Sequence, residues 1–137
     1  MNVCDTSVLV DIDRGGIDDK VSRLNSEGPQ VISTVSVTEL RYGINHLYEP
    51  ESETHHEGIE GLNRLLSRFE IIPVTRPVAT ASADIMTAIR NVGSPLHDLH
   101  DVYIGATART QELPVLTANV DHFDRMPGVD VIDWSTY

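Results

Sequence analysis

The chain opens with Met1-Asn2-Val3-Cys4-Asp5-Thr6-Ser7-Val8-Leu9-Val10-Asp11, a stretch in which a short apolar run leads to a carboxylate. Such a run is typical of a strand buried in a parallel sheet, and it would deliver Asp5 to the carboxyl edge of that sheet. In open α/β sheets, ligands bind in the crevice outside the carboxyl ends of the strands. Asp5 therefore faces a potential active site, unless it only ends the strand or caps the helix that follows.

Apolar runs and helical spacing predict that strands and helices alternate along the rest of the chain. We predict further strands at residues 30–34, 70–75, 113–117 and 128–133. We predict helices at residues 6–13, 17–26, 36–47, 59–69, 78–91 and 101–108, a loop or helix start at 49–58, a turn at Ser94-Pro95, and a turn with a short helix at 118–123. Strand, helix, strand sequences of this length form right-handed βαβ units, which indicates an α/β fold around a parallel sheet.

The length of 137 residues suits one domain with a single core. No apolar run is long enough to cross a bilayer, and no basic leader precedes the first strand, so we expect a soluble cytoplasmic protein with no signal peptide. The single cysteine, Cys4, excludes an internal disulfide, and its place inside the first strand indicates a small buried hydrophobic residue.

The surface is expected to be strongly acidic, because 21 Asp and Glu residues oppose 10 Lys and Arg residues and give a formal net charge of −11. Lys20 is the one lysine. Such a charge repels a polyanion at low salt, but in about 1 M salt the Debye length falls to roughly 3 Å. The composition therefore favours the high-salt cytoplasm of a halophilic archaeon. A protein that avoids nucleic acid would have the same composition, and that alternative stays open.

Glu39 is the second acid of interest. The apolar spacing over residues 36–47 is that of an amphipathic helix that begins directly after the second strand, and Glu39 lies beside its apolar face. The same segment matches a capping box, in which Glu39 would reach back to the amide of Ser36. Glu39 therefore either caps this helix or lies near Asp5 at the same sheet edge.

Asp101 lies near the start of a predicted helix, and the same face of that helix carries small residues four and seven positions later, so the helix can lie close to the sheet. Its position near the helix N-terminus favours a functional acid. Asp98 is placed as the N-cap of this helix, and we prefer that role to metal ligation. The neighbouring histidines, His97 and His100, are left without a role.

Asn119 and Asp121 follow the fourth predicted strand, although Asn119 is equally suited to capping the short helix that comes next. His55 and His56 are adjacent and lack the i, i+4 spacing of a helical metal site, so we expect no metal there.

The acids Asp5, Glu39 and Asp101 and the turn at Asn119 and Asp121 would meet at one edge of a parallel sheet. Carboxylates that close repel one another unless a cation compensates. Oxygen ligands suit Mg²⁺, with Mn²⁺ as a substitute, and such an ion supports phosphodiester hydrolysis by activating water and offsetting charge on the leaving oxygen.

Four segments carry a resemblance to a known family. They are Asp5-Thr6-Ser7, Thr38-Glu39-Leu40-Arg41-Tyr42-Gly43, Asp101-Val102-Tyr103-Ile104-Gly105-Ala106-Thr107-Ala108, and Thr117-Ala118-Asn119 through Phe123. In this order they resemble the PIN-domain family, and more narrowly the VapC-type toxins of type II toxin–antitoxin pairs. The resemblance covers nearly the whole chain. It implies a three-layer α/β/α sandwich forming a single nuclease domain over residues 1–137, a Mg²⁺-dependent ribonuclease, a cognate antitoxin that blocks the site, and a homodimer.

The resemblance also implies a catalytic set of Asp5, Glu39, Asp101 and Asn119, with Asp5 and Asp101 as the principal metal ligands. The fourth family position is often acidic and falls on Asn119 here, which weakens a second metal site. Asn119 can still offer a carbonyl oxygen, and Asp121 is a possible substitute. The alternative is a catalytically silent PIN-like binding or regulatory module, which Asn119 and the net charge favour.

Overall fold

The structure, a computed structural model, describes residues 1–93 and 98–137. Its strands are β1 (Val3–Cys4), β2 (Gln30–Ser33), β3 (Phe69–Ile72), β4 (Val115–Thr117) and β5 (Val131–Asp133). Its helices are α1 (Thr6–Arg14), α2 (Asp18–Ser26), α3 (Thr34–Leu47), α4 (Glu53–Leu66), α5 (Arg76–Asn91), α6 (Leu99–Gln111) and α7 (Val120–Asp124), and a 3-10 turn covers Trp134–Thr136. Within these described ranges, no helix has the length and apolarity needed to span a membrane.

The five strands form one sheet in the order β3-β2-β1-β4-β5, and every neighbouring pair is parallel. This confirms the predicted parallel α/β fold. The central strand β1 pairs through Val3 with Val31 of β2 on one side and with Val115 of β4 on the other. The chain moves outward from β1 through β2 to β3 and then returns to the opposite side at β4. The strand order therefore reverses between β1 and β4, and this is the position where open α/β sheets bind ligands.

Successive strand residues point to opposite faces of the sheet, and each face has its own helices. Val3, Val31 and Val115 belong to the core cluster that contains α5 and α6. Cys4, Ile32 and Leu116 belong to the cluster that contains α1, α2 and the end of α4. The three layers of the predicted α/β/α sandwich are thus confirmed. Cys4 is fully buried, as predicted, and burial raises the pKa of its thiol to about 12.

Trp134 closes the core on the second face, with 1% of its surface exposed. Its indole Nε1 donates a hydrogen bond to Asp11 Oδ2 at 3.0 Å. The ring stacks on Tyr137 with centroids 5.5 Å apart, and Lys20 Nζ lies 4.4 Å from its centroid. The one lysine of the chain therefore packs against the C-terminal aromatic pair.

The predicted boundaries were wrong or imprecise at both ends of α4. Phe69 belongs to β3 and not to the preceding helix. Helix α4 begins at Glu53, because the Ser52 hydroxyl accepts a hydrogen bond from the His55 amide at 3.2 Å. His55 is then buried between α3 and α4, where its Nε2 is 2.8 Å from Asn45 Oδ1. The predicted turn at Ser94-Pro95 lies outside the described residues.

Replacing Ile85 by alanine tests the core between α5 and the sheet. Ile85 is fully buried, so Ile85→Ala is expected to lower the free energy of unfolding by about 2–5 kcal/mol. Val92→Ala is the control, because Val92 is 75% exposed. Urea unfolding at one fixed salt concentration measures both. Equal losses in the two variants would contradict the core assignment.

Candidate active site

The acids singled out from the sequence lie at the carboxyl edge of the sheet. Asp5 directly follows β1, and Glu39 is in the second turn of α3, which begins where β2 ends. Asp101 is in the first turn of α6, which packs on the sheet and ends shortly before β4 begins, so this first turn lies at the same edge. Asn119 follows β4. The structure therefore brings all four residues to the edge where the strand order reverses.

Asp5 is the most buried of these acids, with 2% of its surface exposed. Its Oδ2 accepts hydrogen bonds from the hydroxyls of Ser7 and Thr117, each at 2.8 Å. Asp5 occupies the N-cap position of α1, but its side chain makes no capping hydrogen bond. The carboxylate is therefore held by hydroxyl donors at the centre of the sheet edge, and the capping alternative is not observed.

The same two hydroxyls fasten the end of β4 to the start of α1. Thr117 Oγ1 accepts a hydrogen bond from the Asn119 amide at 2.9 Å. Ser7 Oγ accepts one from the Ala118 amide at 3.2 Å. The Thr117 hydroxyl thus links the Asn119 backbone to the Asp5 carboxylate. Asn119 is the N-cap residue of α7, again without a side-chain capping bond.

Glu39 is held in a similar way by Thr6, whose hydroxyl donates to Glu39 Oε1 at 2.9 Å. Since this uses the one hydroxyl proton of Thr6, Ser36 Oγ donates to Thr6 Oγ1 at 2.9 Å. The capping box was wrong: the N-cap of α3 is Ser33, which accepts from the Val35 amide at 3.1 Å, and Ser36 lies inside the helix. Glu39 is therefore oriented toward α1.

Asp101 is 6% exposed and contacts a residue that sequence analysis did not single out. His122 Nδ1 lies 2.6 Å from Asp101 Oδ2. When the Asp101 carboxylate is ionised it has no proton to donate, so in that state Nδ1 carries the hydrogen and donates it. The only signal for His122 in the sequence is its place in the short segment after β4.

The three acids interact electrostatically. Burial raises the pKa of Asp101 and of Glu39, and the negative charge of Asp5 raises both further. Hydrogen bonds from His122 to Asp101 and from Thr6 to Glu39 act in the opposite direction and lower these pKa values. The ionised forms of Asp101 and Glu39 are therefore disfavoured at this edge, which is the situation that a bound cation would relieve.

The remaining candidate residues lie around these acids. Asp98 caps α6, as predicted, because it accepts a hydrogen bond from the His100 amide at 2.9 Å. His100 Nδ1 is 3.7 Å from Glu39 Oε2, so His100 borders the site. Asp121 is exposed in the first turn of α7. His97 lies outside the described residues.

The acids line an open edge and do not form a closed cage. In the described part of the chain, no group of three Asp, Glu, His or Cys side chains is close enough to hold a metal ion by itself. Mg²⁺ does not need such a cage, since it is commonly bound by one or two carboxylates and completes its shell with water and substrate phosphate oxygens. The oxygen donors of Asp5 and Asp101 fit that mode of binding.

A parallel α/β/α sandwich with carboxylates at its switch point is what the resemblance to PIN domains implied, and the PIN domain model matches residues 3–129 of the chain. The chain belongs to the PIN domain family. Ribonuclease VapC10 from Mycobacterium tuberculosis H37Rv is 32% identical over 125 residues, which cover 90% of this chain and 86% of that protein. The tRNA(fMet)-specific endonuclease VapC of Shigella flexneri is 30% identical over 110 residues, covering 80% of this chain and 79% of that protein.

Solved structures resemble the fold over almost the full length. DNA-bound VapBC from Salmonella typhimurium superposes with a TM-score of 0.84 at 23% identity, covering 98% of this chain and 99% of that chain. VapBC-5 from Mycobacterium tuberculosis, a member of the VapBC family of toxin–antitoxin systems, gives a TM-score of 0.69 at 23% identity over 96% of this chain and 97% of that chain. These likenesses support the three-layer fold.

Replacing Thr117 by valine tests the hydroxyl support of Asp5. The change keeps the shape of a fully buried side chain but removes a donor to Asp5 Oδ2 and an acceptor for the Asn119 amide. We expect Thr117→Val to lower the free energy of unfolding by about 1–3 kcal/mol, and Thr117→Ser to lower it less. Thermal unfolding without added metal measures both. Indistinguishable stabilities in the two variants would contradict this support.

Proposed function

We propose that residues 1–137 form a single PIN-like nuclease domain that acts as a metal-dependent endoribonuclease. It is the toxin of a toxin–antitoxin pair, it forms a homodimer, and a cognate antitoxin blocks its site. The relatives named ribonuclease VapC10 and tRNA(fMet)-specific endonuclease VapC support the reaction class. The VapBC structures, one of which is described as a toxin–antitoxin system, support the partner.

The observation that carries the proposal is the meeting of Asp5, Glu39 and Asp101 at one sheet edge. They come from three separate elements, and the charge of Asp5 raises the pKa of the other two. Burying like charges together is unfavourable, and groups with shifted pKa values cluster at functional sites, so this arrangement indicates a functional site. A divalent cation relieves the repulsion and supplies the charge that phosphodiester hydrolysis needs.

Mg²⁺, or Mn²⁺ in its place, is the proposed cofactor, with Asp5 and Asp101 as its protein ligands. When bound, such an ion makes a water molecule more nucleophilic and stabilises the negative charge on the leaving oxygen. The chain's own groups position these ligands: Ser7 and Thr117 fix the Asp5 carboxylate. Their hydroxyls hold its orientation while leaving its charge in place.

Glu39 and Asn119 complete the proposed catalytic set on either side of the metal ligands. Thr6 directs Glu39 to the edge, where its carboxylate can accept a proton from water. Asn119 offers a carbonyl oxygen at the end of β4, where a carboxylate would add one more negative charge to an acidic cluster. An RNA phosphate approaching this edge is repelled less by the amide than by a carboxylate.

The surface proposed for the antitoxin is an apolar groove of about 310 Å³ between α3 and α4. Its apolar lining consists of Leu40, Ile44, Leu47, Tyr48, Leu62 and Leu65. Leu47 is 72% exposed, an unusual position for a leucine unless a partner covers it. Leu40 and Glu39 lie in the same turn of α3, and we propose that a segment of the antitoxin seated in the groove continues past this turn and covers the acids.

A second candidate is a catalytically silent PIN-like module that binds or regulates. The observations that favour it are the amide of Asn119 in place of a fourth acid and the net charge of −11. A titration with Mn²⁺ separates the two functions. The titration is run in about 1 M KCl, where the Debye length is roughly 3 Å. If the chain neither binds Mn²⁺ nor cleaves RNA under these conditions, the result supports the silent module.

Asp5→Asn and Asp101→Asn are each expected to abolish Mg²⁺-dependent RNA cleavage and to leave the fold intact. Each change removes one charge from a repelling group, so the melting temperature without metal should stay the same or rise. Asp84→Asn is the control, because Asp84 is exposed on α5. Cleavage of RNA at high salt and thermal unfolding are the measurements. Full cleavage by both variants would refute the site.

Leu47→Asp is expected to weaken the complex with the antitoxin at least tenfold, because it places a charge in the apolar groove. The reading frames adjacent to the gene are first inspected for a small antitoxin, and its product is then co-expressed with this chain. Val92→Asp is the matched control, since Val92 has a similar exposure of 75% and does not line the groove. The dissociation constants of the purified complexes are compared. An unchanged constant for Leu47→Asp would exclude this groove as the docking surface.

A further inference from the structure

We infer that His122 is a positioning residue, whose Nδ1–H fixes the orientation of the Asp101 carboxylate at the sheet edge. This inference rests on the proposed function, in which Asp101 is a metal ligand. It adds to that function a residue from α7 that acts through Asp101.

The contact has the geometry of a charge-assisted hydrogen bond. His122 Nδ1 and Asp101 Oδ2 are 2.6 Å apart, and the Asp101 side chain is 9% exposed against 52% for His122. The carboxylate is thus buried and the ring lies at its solvent side. The neutral tautomer with its hydrogen on Nδ1 and the imidazolium form both offer the Nδ1–H donor, so either can make this contact.

The position of His122 is fixed by the packing of α7 against α6. Phe123, the next residue, is fully buried in the core cluster that contains α6. Gly105 of α6 faces Met126 so closely that a Cβ on Gly105 would lie 2.5 Å from Met126 Sδ. The segment carrying the histidine is therefore packed firmly against the helix carrying the acid, and this packing places His122 beside Asp101.

The same pattern recurs at each of the three acids. Asp5 accepts hydrogen bonds from Ser7 and Thr117, and Glu39 accepts one from Thr6. In each case a short donor orients one carboxylate oxygen. His122 is the corresponding donor for Asp101, and it engages Oδ2, so Oδ1 is the oxygen through which Asp101 would bind a ligand.

An orienting donor behind a metal ligand typically contributes about 10- to 100-fold in metal affinity. The amide nitrogen of asparagine can take the place of Nδ1, whereas the longer glutamine places its nitrogen near Nε2. The experiment therefore compares His122→Asn, His122→Gln and His122→Ala. Calorimetric titration of the RNA-free full chain with Mn²⁺ gives the dissociation constant of each variant, and RNA cleavage gives kcat and KM.

We expect His122→Gln and His122→Ala to weaken Mn²⁺ binding by about 10- to 100-fold and to lower kcat with little change in KM. His122→Asn should restore Mn²⁺ affinity to within a few-fold of the original chain. His56→Asn is the control, because His56 is exposed on α4, outside the site. Thermal unfolding checks that each variant is folded; if His122→Ala does not fold, the comparison of the Asn and Gln variants decides alone.

Two outcomes would overturn the inference in distinguishable ways. If the original chain binds Mn²⁺ and His122→Asn and His122→Gln bind it equally well or equally poorly, His122 does not position Asp101 through Nδ1, and the proposed metal site stands. If the original chain binds no Mn²⁺, the proposed metal site fails and the role of His122 fails with it.

Discussion

The electrostatic cost of burying several carboxylates at one sheet edge is the constraint on which the rest of the structure depends. Asp5 and Asp101 are 2% and 6% exposed, and the charge of Asp5 raises the pKa of Asp101 and of Glu39. Because like charges that are poorly solvated oppose folding, the surrounding core must supply the compensating stability. The two hydrophobic clusters on the faces of the sheet provide it.

The sheet topology explains why this edge carries the acids. In the order β3-β2-β1-β4-β5, the connections from β1 and to β4 diverge to opposite sides. A crevice opens where these connections separate. Because β1 is only two residues long, Asp5 directly follows it and lies at this crevice. Thr117 spans the crevice with a hydrogen bond between residues 112 positions apart. The central strand therefore positions the site and also joins the two halves of the sheet.

Sequence patterns predicted the parts of this arrangement that depend on local periodicity. The strand that delivers Asp5, the helix that Asp98 caps, and the parallel sheet follow from apolar runs and capping residues. The capping box at Ser36 failed because local spacing cannot tell a cap from a helix interior: Ser33 is available three residues earlier and caps α3 instead. His122 and Thr117 were missed because their contacts join residues distant in the sequence, and no periodicity encodes such a pairing.

The choice of donors around the acids bears on which cation the site can accept. If arginine or lysine held Asp5 and Glu39, the acids would be neutralised within the protein, and a divalent ion would have to compete with an ion pair. Hydroxyl groups from Thr6, Ser7 and Thr117 orient these carboxylates but carry no charge. The negative charge therefore stays available at the edge. A chain with a net charge of −11 would keep an RNA phosphate away from such an edge at low salt. A bound divalent ion would offset two of the negative charges at this edge, and salt at a high concentration would screen the rest of the surface, so binding of the metal and approach of the substrate would be physically linked.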